Sequence, residues 1–444
     1  MLKKYLKNIF PDFLVSIIRE RHDLNTYIKY RLNMKRRANK KGLSEKIKIA
    51  FIIEYPEVWN SVKSVYYAAK RMDIDVIVIC VPKSKTQSNI YVANEENDAY
   101  NYLFNDENIQ VYNALRNGKW FNLEEYNPDY VFYTRPYNSE YPLPYKTSKV
   151  SSYAKVCYIP YAFSQTTGFL FDMTFNWNFM LNTYVTFCPS KIRLDECKKK
   201  FAWQVLKKTN YYEYFGFPRF DLLKDLDEKD KKRFTILWLP RWFVNDERGN
   251  KKSHFIEYLP YIFNFMNQHQ EVQLIIRPHP LMFKTMVEKN IKSKEEVDEI
   301  ISAINNASNI SLDNGSDYIP TFEKTDILLA DFTSLLVEYF VTGKPIIYCD
   351  DANDFNDDAI LLNSTYYHAK EWKDIEKIIF RLRDGNDSKI DVRKKVISEI
   401  MPTNTGNIGT DIIEYLIEDY KKEQKSYLES QESIRRKRIS VRKK

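Results

Sequence analysis

Short, uninterrupted apolar runs alternate with helical stretches along most of this chain, in two successive series. In the first series the apolar runs occupy residues 48–55, 75–82, 129–136, 155–162 and 184–190, and in the second they occupy residues 233–242, 272–280, 326–334 and 344–350. Such runs are typical of parallel strands that are buried on both faces, whereas helical spacing marks the stretches between them. The sequence therefore predicts an α/β chain with two Rossmann-like, doubly wound domains that face a cleft.

The same pattern divides the 444 residues into four segments. We expect a basic amphipathic segment over residues 1–45 and an N-terminal domain over 46–210. A C-terminal domain over 211–428 and a basic tail over 429–444 follow. Two domains of ordinary size fit a chain of this length.

Glycine is scarce, because only 10 of the 444 residues, about 2%, are glycine, whereas about 7% is usual. Neither G-x-G-x-x-G nor G-x-x-x-x-G-K-[ST] occurs, which argues against a dinucleotide-dependent dehydrogenase and a P-loop NTPase. The five cysteines lie in apolar surroundings without a C-x-x-C pair. We therefore expect buried thiols in a reducing, cytosolic compartment rather than disulfides or a zinc site.

Positive charge is concentrated in the terminal segments, although the chain as a whole carries only +8. Residues 1–41 hold 12 Lys and Arg against three Asp and Glu, and residues 435–444 hold seven Lys and Arg and no acid. The part between them is therefore mildly acidic, which argues against nucleic acid as a partner. Basic ends suit an anionic membrane surface, and no run predicts a transmembrane helix. Alternatively, the first segment is a helix that packs on the body and is followed by a basic linker.

Candidate functional residues stand where strands of the second series end. Arg277 and His279 lie in an R-P-H-P sequence, and histidine is the side chain that titrates near neutral pH. Thr333 and Ser334 stand where a helix would start, and hydroxyls together with N–H groups at such a start bind phosphate. Glu338, one turn on, could accept hydrogen bonds from a ribose diol. The alternatives are a turn histidine and an ordinary helix N-cap.

Four motifs in a fixed order carry a family resemblance. They are G-F-P-R-x-D from residue 216, I-L-W-L-P-R-W, R-P-H-P, and D-F-T-S-x-x-x-E-Y followed by G-K-P-I-I-Y. Together they resemble the CDP-glycerol glycerophosphotransferase family of teichoic-acid and capsule polymerases and primases. The resemblance covers about residues 150–420 and is clearest over 214–350. It implies a GT-B fold with the donor nucleotide in the C-terminal domain.

The resemblance also implies an activity and a set of roles. A phospho-alditol, either glycerol phosphate or ribitol phosphate, would move from a CDP-activated donor to a hydroxyl of a growing teichoic-acid or capsule polymer, releasing CMP. His279 would stabilise the leaving phosphate, and substrate would be bound by Arg219, Arg277, Thr333, Ser334 and Glu338. No cofactor or metal is implied. The lipid-linked or polymeric acceptor implies a cytoplasmic enzyme that is peripheral on the inner face of the membrane.

One motif of that family is absent. The family usually carries His-Gly-Thr-Pro, with the histidine as catalytic base, where residues 158–163 here are Y-I-P-Y-A-F. Replacement bases are Asp172 and Glu54, ranked above Tyr161 because a tyrosine with a pKa of about 10 is a poor base at neutral pH. A GT-B glycosyltransferase that uses a nucleotide sugar stays open as an alternative, as does a non-catalytic scaffold at the membrane.

Overall fold

The computed structural model describes residues 46–82, 97–163, 165–224, 226, 233–241, 253–350 and 355–442, together with Leu14 and Leu32. The predicted amphipathic segment at residues 1–45 lies outside the described residues, apart from those two leucines. The chain forms two compact units. The first contains the described residues up to Ala162, then Phe169–Asp221, and the residues from Asn404 onward; the second contains Phe163–Gly168 and Leu222–Thr403.

The first unit is built on a parallel sheet. Its strands are β1 (Lys48–Ile53), β2 (Asp75–Cys80), β3 (Val111–Asn113), β6 (Tyr130–Tyr133), β7 (Lys155–Tyr158), β8 (Val185–Phe187) and β9 (Tyr211–Glu213), and a separate hairpin consists of β4 (Leu115–Arg116) and β5 (Lys119–Trp120). In the described part of the chain this sheet has seven strands in the order β3-β2-β1-β6-β7-β8-β9. Because the order reverses between β1 and β6, the carboxyl ends of these two strands flank the switch point of the sheet.

Short helices connect these strands. They are α1 (Lys63–Arg71), α2 (Asp98–Asn101), α3 (Leu123–Tyr126), α4 (Thr147–Val150), α5 (Phe169–Thr174), α6 (Trp177–Met180), α7 (Lys191–Lys200) and α8 (Ala202–Leu206). Tighter turns of helix occupy Pro56–Ser61, Leu143–Tyr145 and Pro218–Leu222, and a wider turn occupies Tyr102–Asp106. Helix α7 begins directly after Ser190, whose side chain caps the helix by accepting a hydrogen bond from the backbone N–H of Arg193.

The second unit contains a parallel sheet with the same kind of reversal. Its strands are β10 (Phe234–Leu239), β11 (Val272–Ile276), β12 (Ile310–Leu312), β13 (Ile327–Ala330), β14 (Ile346–Tyr348) and β15 (Tyr367–His368). Among the described residues the order is β12-β11-β10-β13-β14-β15, and neighbouring strands run parallel. The switch point of this sheet lies between β10 and β13.

Eight helices are described around the second sheet. They are α9 (Phe255–Gln268), α10 (Met282–Glu288), α11 (Lys294–Asn306), α12 (Ile319–Lys324), α13 (Leu336–Phe340), α14 (Asp357–Asn363), α15 (Trp372–Arg383) and α16 (Ile390–Ile400). Helix α11 starts with a reciprocal capping box between Ser293 and Glu296. The prediction of two Rossmann-like α/β sheets is confirmed.

Both sheets are apolar on their two faces, which is why their strands could be recognised as continuous runs. All four residues of β6 and all four of β13 are buried. In the second unit the indole of Trp238 stacks on the ring of Phe255 at a centroid distance of 5.1 Å. Complete burial of such a side chain contributes about 1.5–3 kcal/mol. All five cysteines are buried free thiols, as predicted.

The last helix, α17 (Ile408–Arg442), belongs to the first unit. The carboxylate of Asp221 accepts hydrogen bonds from the backbone N–H groups of Gly406, Ile408 and Gly409, at 2.7, 3.1 and 2.8 Å. A Cβ on Gly409 would lie 2.5 Å from the backbone carbon of Ser64, so glycine allows α17 to approach α1 closely. The motif G-F-P-R-x-D therefore helps to dock the start of this helix.

This docking places the unit boundary differently from the prediction. The predicted C-terminal domain spans residues 211–428, but Tyr211–Asp221 and the residues from Asn404 to Leu428 group with the first unit. The sequence pattern could not reveal this, because it follows from contacts between residues far apart in the chain. No helix in the described parts of the chain is long and apolar enough to cross a membrane.

A buried ion-pair network holds the middle of α17 on the first sheet. Lys155, at the start of β7, is 3% exposed and lies 2.7 Å from carboxylate oxygens of both Asp419 and Glu423. The hydroxyls of Tyr130 and Tyr184 donate hydrogen bonds to the same Asp419 carboxylate. Although burial acts in the opposite direction, the charge of Lys155 and these hydrogen bonds lower the pKa of Asp419.

Candidate functional site

The carboxyl edge of the second sheet collects charged side chains. All its strands are parallel, so the residues that follow them meet at one edge. Those residues are Arg241 after β10, Arg277 and His279 after β11, Asp313 after β12, Asp331 after β13 and Asp350 after β14. The sequence predicted a site at this edge from Arg277 and His279 and from the residues that follow Asp331.

Asp331 joins the two strands of the switch point. Its side chain is 1% exposed, and Oδ2 accepts hydrogen bonds from the backbone N–H of Arg241 at 2.9 Å and of His254 at 3.2 Å. Oδ1 lies 2.6 Å from Nδ1 of His254. Two backbone N–H groups and the ring of His254 therefore surround one buried carboxylate.

His254 is oriented by this carboxylate and by an aromatic ring. It immediately precedes α9 and stacks on Tyr258, with ring centroids 4.9 Å apart and planes inclined by 16°. Its side chain is 18% exposed. Burial by itself lowers the pKa of His254, but the hydrogen bond and charge of Asp331, with smaller contributions from Glu257 and Asp350, raise it above 6.5.

Arg241 supplies a fixed positive charge beside this pair. Its Nη1 lies 3.2 Å from Oδ2 of Asp350, which is nearly buried. The guanidinium also lies over the ring of Phe332, 5.6 Å from its centroid. Both contacts restrain the side chain at the carboxyl ends of β10 and β14.

The pKa of His279 is shifted in the opposite direction to that of His254. It is exposed at the turn after β11, and its Nδ1 accepts a hydrogen bond from the backbone N–H of Leu281 at 3.2 Å. This bond assigns the ring proton of the neutral form to Nε2. Neighbouring protein atoms remove part of the water around the ring, which lowers the pKa of His279. His279 is therefore a neutral hydrogen-bond donor at neutral pH.

Arg277, predicted to bind substrate, holds the turn that follows β12. Its Nη1 lies 2.6 Å from Oδ2 of Asp313, and its Nη2 donates to the carbonyl of Gly315 at 2.6 Å. Two of its guanidinium nitrogens therefore already bond to this turn. A contact between Arg277 and the donor stays a prediction.

Thr333 and Ser334 lie in the turn between β13 and α13, as predicted. Thr333 is half-buried and its carbonyl accepts a hydrogen bond from Nε2 of Gln165 at 3.0 Å, whereas Ser334 is exposed. The backbone N–H of Leu335 reaches the Thr333 hydroxyl at 3.4 Å. The two hydroxyls thus stand at the sheet edge, and their phosphate contact stays a prediction.

Glu338 lies on α13 and is fully buried. All five residues of this helix are buried. Helical spacing placed Glu338 one turn beyond the hydroxyls and could not report this burial. A contact between Glu338 and a ribose stays a prediction.

In the first unit, Glu54 lies at the switch point of the sheet. It directly follows β1, and Arg135 follows β6 two residues after its end. Nη1 of Arg135 lies 3.2 Å from Oε2 of Glu54, and Nη2 lies 2.7 Å from Oε2 of Glu140. Burial raises the pKa of Glu54 from 4.5 to about 7, although the charge of Arg135 and a hydrogen bond from Tyr141 act in the opposite direction.

The other two candidate bases have different surroundings. Asp172, on α5, is 54% exposed and lies 2.8 Å from Nζ of Lys200. Tyr161 lies near the carboxyl end of β7, with its hydroxyl 3.5 Å from that of Tyr137. Among the three candidates, Glu54 alone combines a position at a switch point with a pKa raised to near neutrality.

Arg219, predicted to bind substrate, is buried in the first unit. Its Nε donates to the hydroxyl of Ser61 at 3.1 Å, and its Nη2 donates to the carbonyl of Glu57 at 3.0 Å. These bonds fix the helical turn that follows Glu54. Within the first unit Arg219 thus supports the segment next to the candidate base, and its contact with substrate stays a prediction.

Four residues at or beside the two switch points are absent from the predictions made from the sequence. They are Arg135, Arg241, His254 and Asp350. Arg241 lies in the L-P-R-W motif, and Arg135 lies at the end of an apolar run. Both could have been predicted by treating every charged residue that follows a predicted strand as a candidate. His254 follows no strand, and its role depends on a partner 77 residues away.

Comparisons with known proteins agree with this architecture. A family described as CDP-Glycerol:Poly(glycerophosphate) glycerophosphotransferase matches residues 198–373. No curated protein sequence matches the chain. The solved structure of the wall teichoic acid polymerase TagF is similar to it with a TM-score of 0.56 and 12% identity, covering 93% of this chain and 97% of that one.

A second solved structure, UDP-GlcNAc 2-epimerase from Neisseria meningitidis bound to UDP-GlcNAc, has a TM-score of 0.54 at 13% identity and covers 84% of this chain and 100% of that one. At such identities these two structures establish the fold alone. The predicted GT-B fold is confirmed by them, and the family match confirms the predicted class of enzyme. Residues 198–373 of this chain therefore match the model of the CDP-glycerol:poly(glycerophosphate) glycerophosphotransferase family, the family that the sequence motifs predicted.

Proposed function

We propose that this enzyme transfers glycerol phosphate from CDP-glycerol to a hydroxyl of a cell-surface polymer, with Glu54 as the base that removes the hydroxyl proton. The observation that carries the assignment of the base is the carboxylate at the first switch point, with a pKa raised to about 7. A general base works best when its pKa lies near the working pH. Glu54 thus replaces the histidine that the family pattern would lead one to expect.

The contacts of Glu54 support this role. The carboxylate is 4% exposed, and Arg135 links it to Glu140, which is 41% exposed at the surface. The guanidinium lies over the rings of Tyr55 and Tyr137, at 4.3 and 5.0 Å from their centroids. These contacts restrain the arginine, which in turn fixes the orientation of the base.

The reaction itself needs little covalent chemistry from the protein. The hydroxyl oxygen bonds to the phosphorus of the glycerol phosphate, and the bond from this phosphorus to the CMP oxygen breaks. The electron pair stays on CMP, and the hydroxyl proton goes to Glu54. Positioning and electrostatic stabilisation supply the acceleration in such a transfer. His279, Thr333 and Ser334 support binding of the donor phosphates at the edge of the second sheet.

We further propose that the enzyme works as a peripheral protein on the inner face of the membrane. The acceptor is then a polymer on a lipid carrier, and the basic segments at residues 1–41 and 435–444 attract anionic lipid. Helix α17 continues as far as Arg442, well past Tyr420, the last buried residue among those whose side chains the structure describes. The terminal part of this helix therefore carries most of the basic tail.

The Glu54→Gln variant tests the assignment of the base. CMP release from CDP-glycerol should fall about 100- to 10,000-fold, which is the range for loss of a general base. In the unmodified enzyme kcat/KM should increase with pH up to about 7 and then level off, and the variant should lose this dependence. Glu140→Gln is the matched control, because it removes the exposed partner of Arg135 and keeps Glu54.

Two outcomes would contradict these proposals separately. If Glu54→Gln keeps near-normal turnover with an unchanged pH profile, Glu54 is a structural partner of Arg135. If the unmodified enzyme releases no CMP from CDP-glycerol or CDP-ribitol but releases UDP or GDP from nucleotide sugars, the enzyme is a glycosyltransferase on the same fold.

A further inference from the structure

His254 and Asp331 form a candidate pair in the second unit; the sequence motifs include Asp331 but not His254. The pair lies at the switch point, where Arg241 and Asp331 follow the adjacent strands β10 and β13. In open α/β sheets, ligands bind outside the carboxyl ends of the strands at such a point.

The geometry fixes which nitrogen of His254 can meet a ligand. Nδ1 lies 2.6 Å from Oδ1 of Asp331, and an ionised carboxylate only accepts hydrogen bonds, so Nδ1 carries a proton. Stacking on Tyr258 holds the ring plane. The remaining ring nitrogen, Nε2, lies on the side of the ring opposite to Asp331, and 18% of the side chain is exposed.

The charges around His254 favour a protonated ring. Asp331 and Asp350 face it from the ends of β13 and β14, Glu257 faces it from its own helix, and together they raise its pKa against the effect of burial. Arg241 is the neighbouring cation, and its own charge is paired with Asp350. His279, at the end of β11, has a lowered pKa instead. The pKa values of the two histidines of this edge are therefore shifted in opposite directions, a pattern typical of divided roles.

We propose that His254 binds a phosphate group of the nucleotide donor through Nε2–H, with Asp331 as the positioning residue that keeps the ring protonated and oriented. This inference rests on the proposed function, since the donor there is a cytidine diphosphate ester. His254 donates a hydrogen bond to a phosphate oxygen and transfers no proton, so the balance of the reaction is unchanged. The neutral His279 then serves as a second donor that does not depend on protonation.

The His254→Asn variant separates a ligand contact from a structural role. The asparagine amide can occupy the place of Nδ1–H and keep the hydrogen bond to Asp331, but it has no group at the position of Nε2. CMP affinity, measured by calorimetry at pH 6.5, should fall about 10- to 100-fold, which is the value of one hydrogen bond to a charged group. The unfolding temperature should stay close to that of the unmodified enzyme.

The matched control is His269→Asn, at the other end of the same helix. His269 also lies beside a carboxylate, with Nδ1 3.3 Å from Oε1 of Glu271, but it is away from the carboxyl edge. Comparing the variants at each pH cancels the ionisation of CMP itself. Between pH 6.5 and 8.5 the difference in CMP affinity between the unmodified enzyme and His254→Asn should shrink. The CMP affinity of His269→Asn should equal that of the unmodified enzyme at every pH.

A second measurement uses the unmodified protein. The chain has five histidines, so ¹⁵N-histidine spectra are simple and the His254 signals can be identified by their loss in His254→Asn. Saturating CMP should raise the pKa of His254, because a bound phosphate favours the imidazolium. Should CMP leave these signals unmoved, or should His254→Asn bind CMP as tightly as the unmodified enzyme, the inference is wrong.

Failure of the proposed function would give a different result, in which the enzyme releases no CMP from CDP-glycerol, while UDP shifts the His254 signals and binds less tightly to His254→Asn. That result supports the phosphate contact of His254 and contradicts the assignment of CDP-glycerol as the donor. If CDP-glycerol is turned over normally by His254→Asn with unchanged CMP affinity, the proposed function stands and the phosphate contact falls.

Discussion

At the scale of single residues, the two histidines of the second sheet edge show how local surroundings set chemistry. His279 loses water, which lowers its pKa. His254 also loses water, but Asp331 is close enough to reverse the effect. A sequence motif identifies the first histidine and cannot identify the second, because the carboxylate that distinguishes them comes from another strand.

We expect His279→Ala to reduce turnover about 30- to 1000-fold with little change in the unfolding temperature. A hydrogen bond made mainly in the transition state has a value of about 2–4 kcal/mol, whereas the exposed ring adds little packing. CMP release and thermal unfolding measure the two effects, with His269→Ala as the control. Near-normal turnover in His279→Ala would remove this residue from the site.

At the scale of secondary-structure elements, α17 is the helix whose contacts most change the predicted organisation. Asp221 caps its start, Gly409 allows close approach to α1, and Asp419 pairs with Lys155 in the middle. Breaking a buried ion pair leaves an uncompensated charge and is strongly destabilising. The attachment of this helix to the first sheet therefore depends on specific polar contacts as well as on apolar burial.

We expect Asp419→Asn to lower the free energy of unfolding by roughly 3 kcal/mol at pH 7, because Lys155 would keep only Glu423 as its charged partner. The folded-state pKa of Asp419 is below its ordinary value of 3.8, so its contribution is present above that pH and is lost as the pH falls below it. Urea unfolding of both proteins should therefore show a difference that is constant at neutral pH and narrows below about pH 4.

The control is Glu418→Gln on the same helix, whose side chain is 62% exposed in its ion pair with Lys421. Exposed pairs of this kind contribute about 0–1 kcal/mol, so this change should have little effect. Equal stability of Asp419→Asn and the unmodified protein at pH 7 would contradict the structural role of the network.

At the scale of the whole molecule, the uneven distribution of charge is the feature with a functional consequence. Seven basic residues lie within residues 435–444, and 12 lie within residues 1–41. Each basic residue near an anionic bilayer contributes roughly 1 kcal/mol, and the attraction fades beyond a screening length of about 8–10 Å. Binding by these segments should therefore be reversible and sensitive to salt.

We expect the full chain to sediment with anionic liposomes at low salt and to be released at high salt. Deleting residues 435–444 should weaken sedimentation, and deleting residues 1–41 as well should abolish it, while neutral liposomes serve as the control. Turnover on a short soluble acceptor should survive loss of the last ten residues. Undiminished sedimentation of the doubly truncated protein would show that the body has its own membrane surface.

The sequence by itself determined the α/β class, the two parallel sheets and the strand ends where charged residues collect. These follow from local information, because a strand buried on both faces must be a continuous apolar run, as at β1 and β13. The ordered motifs also predicted the family whose model matches residues 198–373.

The tertiary structure alone decided the surroundings of those residues. Arg277 and Arg219 donate hydrogen bonds to neighbouring turns, Glu338 is buried, and burial at the switch point raises the pKa of Glu54 to about 7. The reason is physical: burial, ion pairing and the pKa depend on atoms brought together from distant parts of the chain. Spacing along one segment records none of these neighbours, so the partner of His254 became visible only in the folded protein.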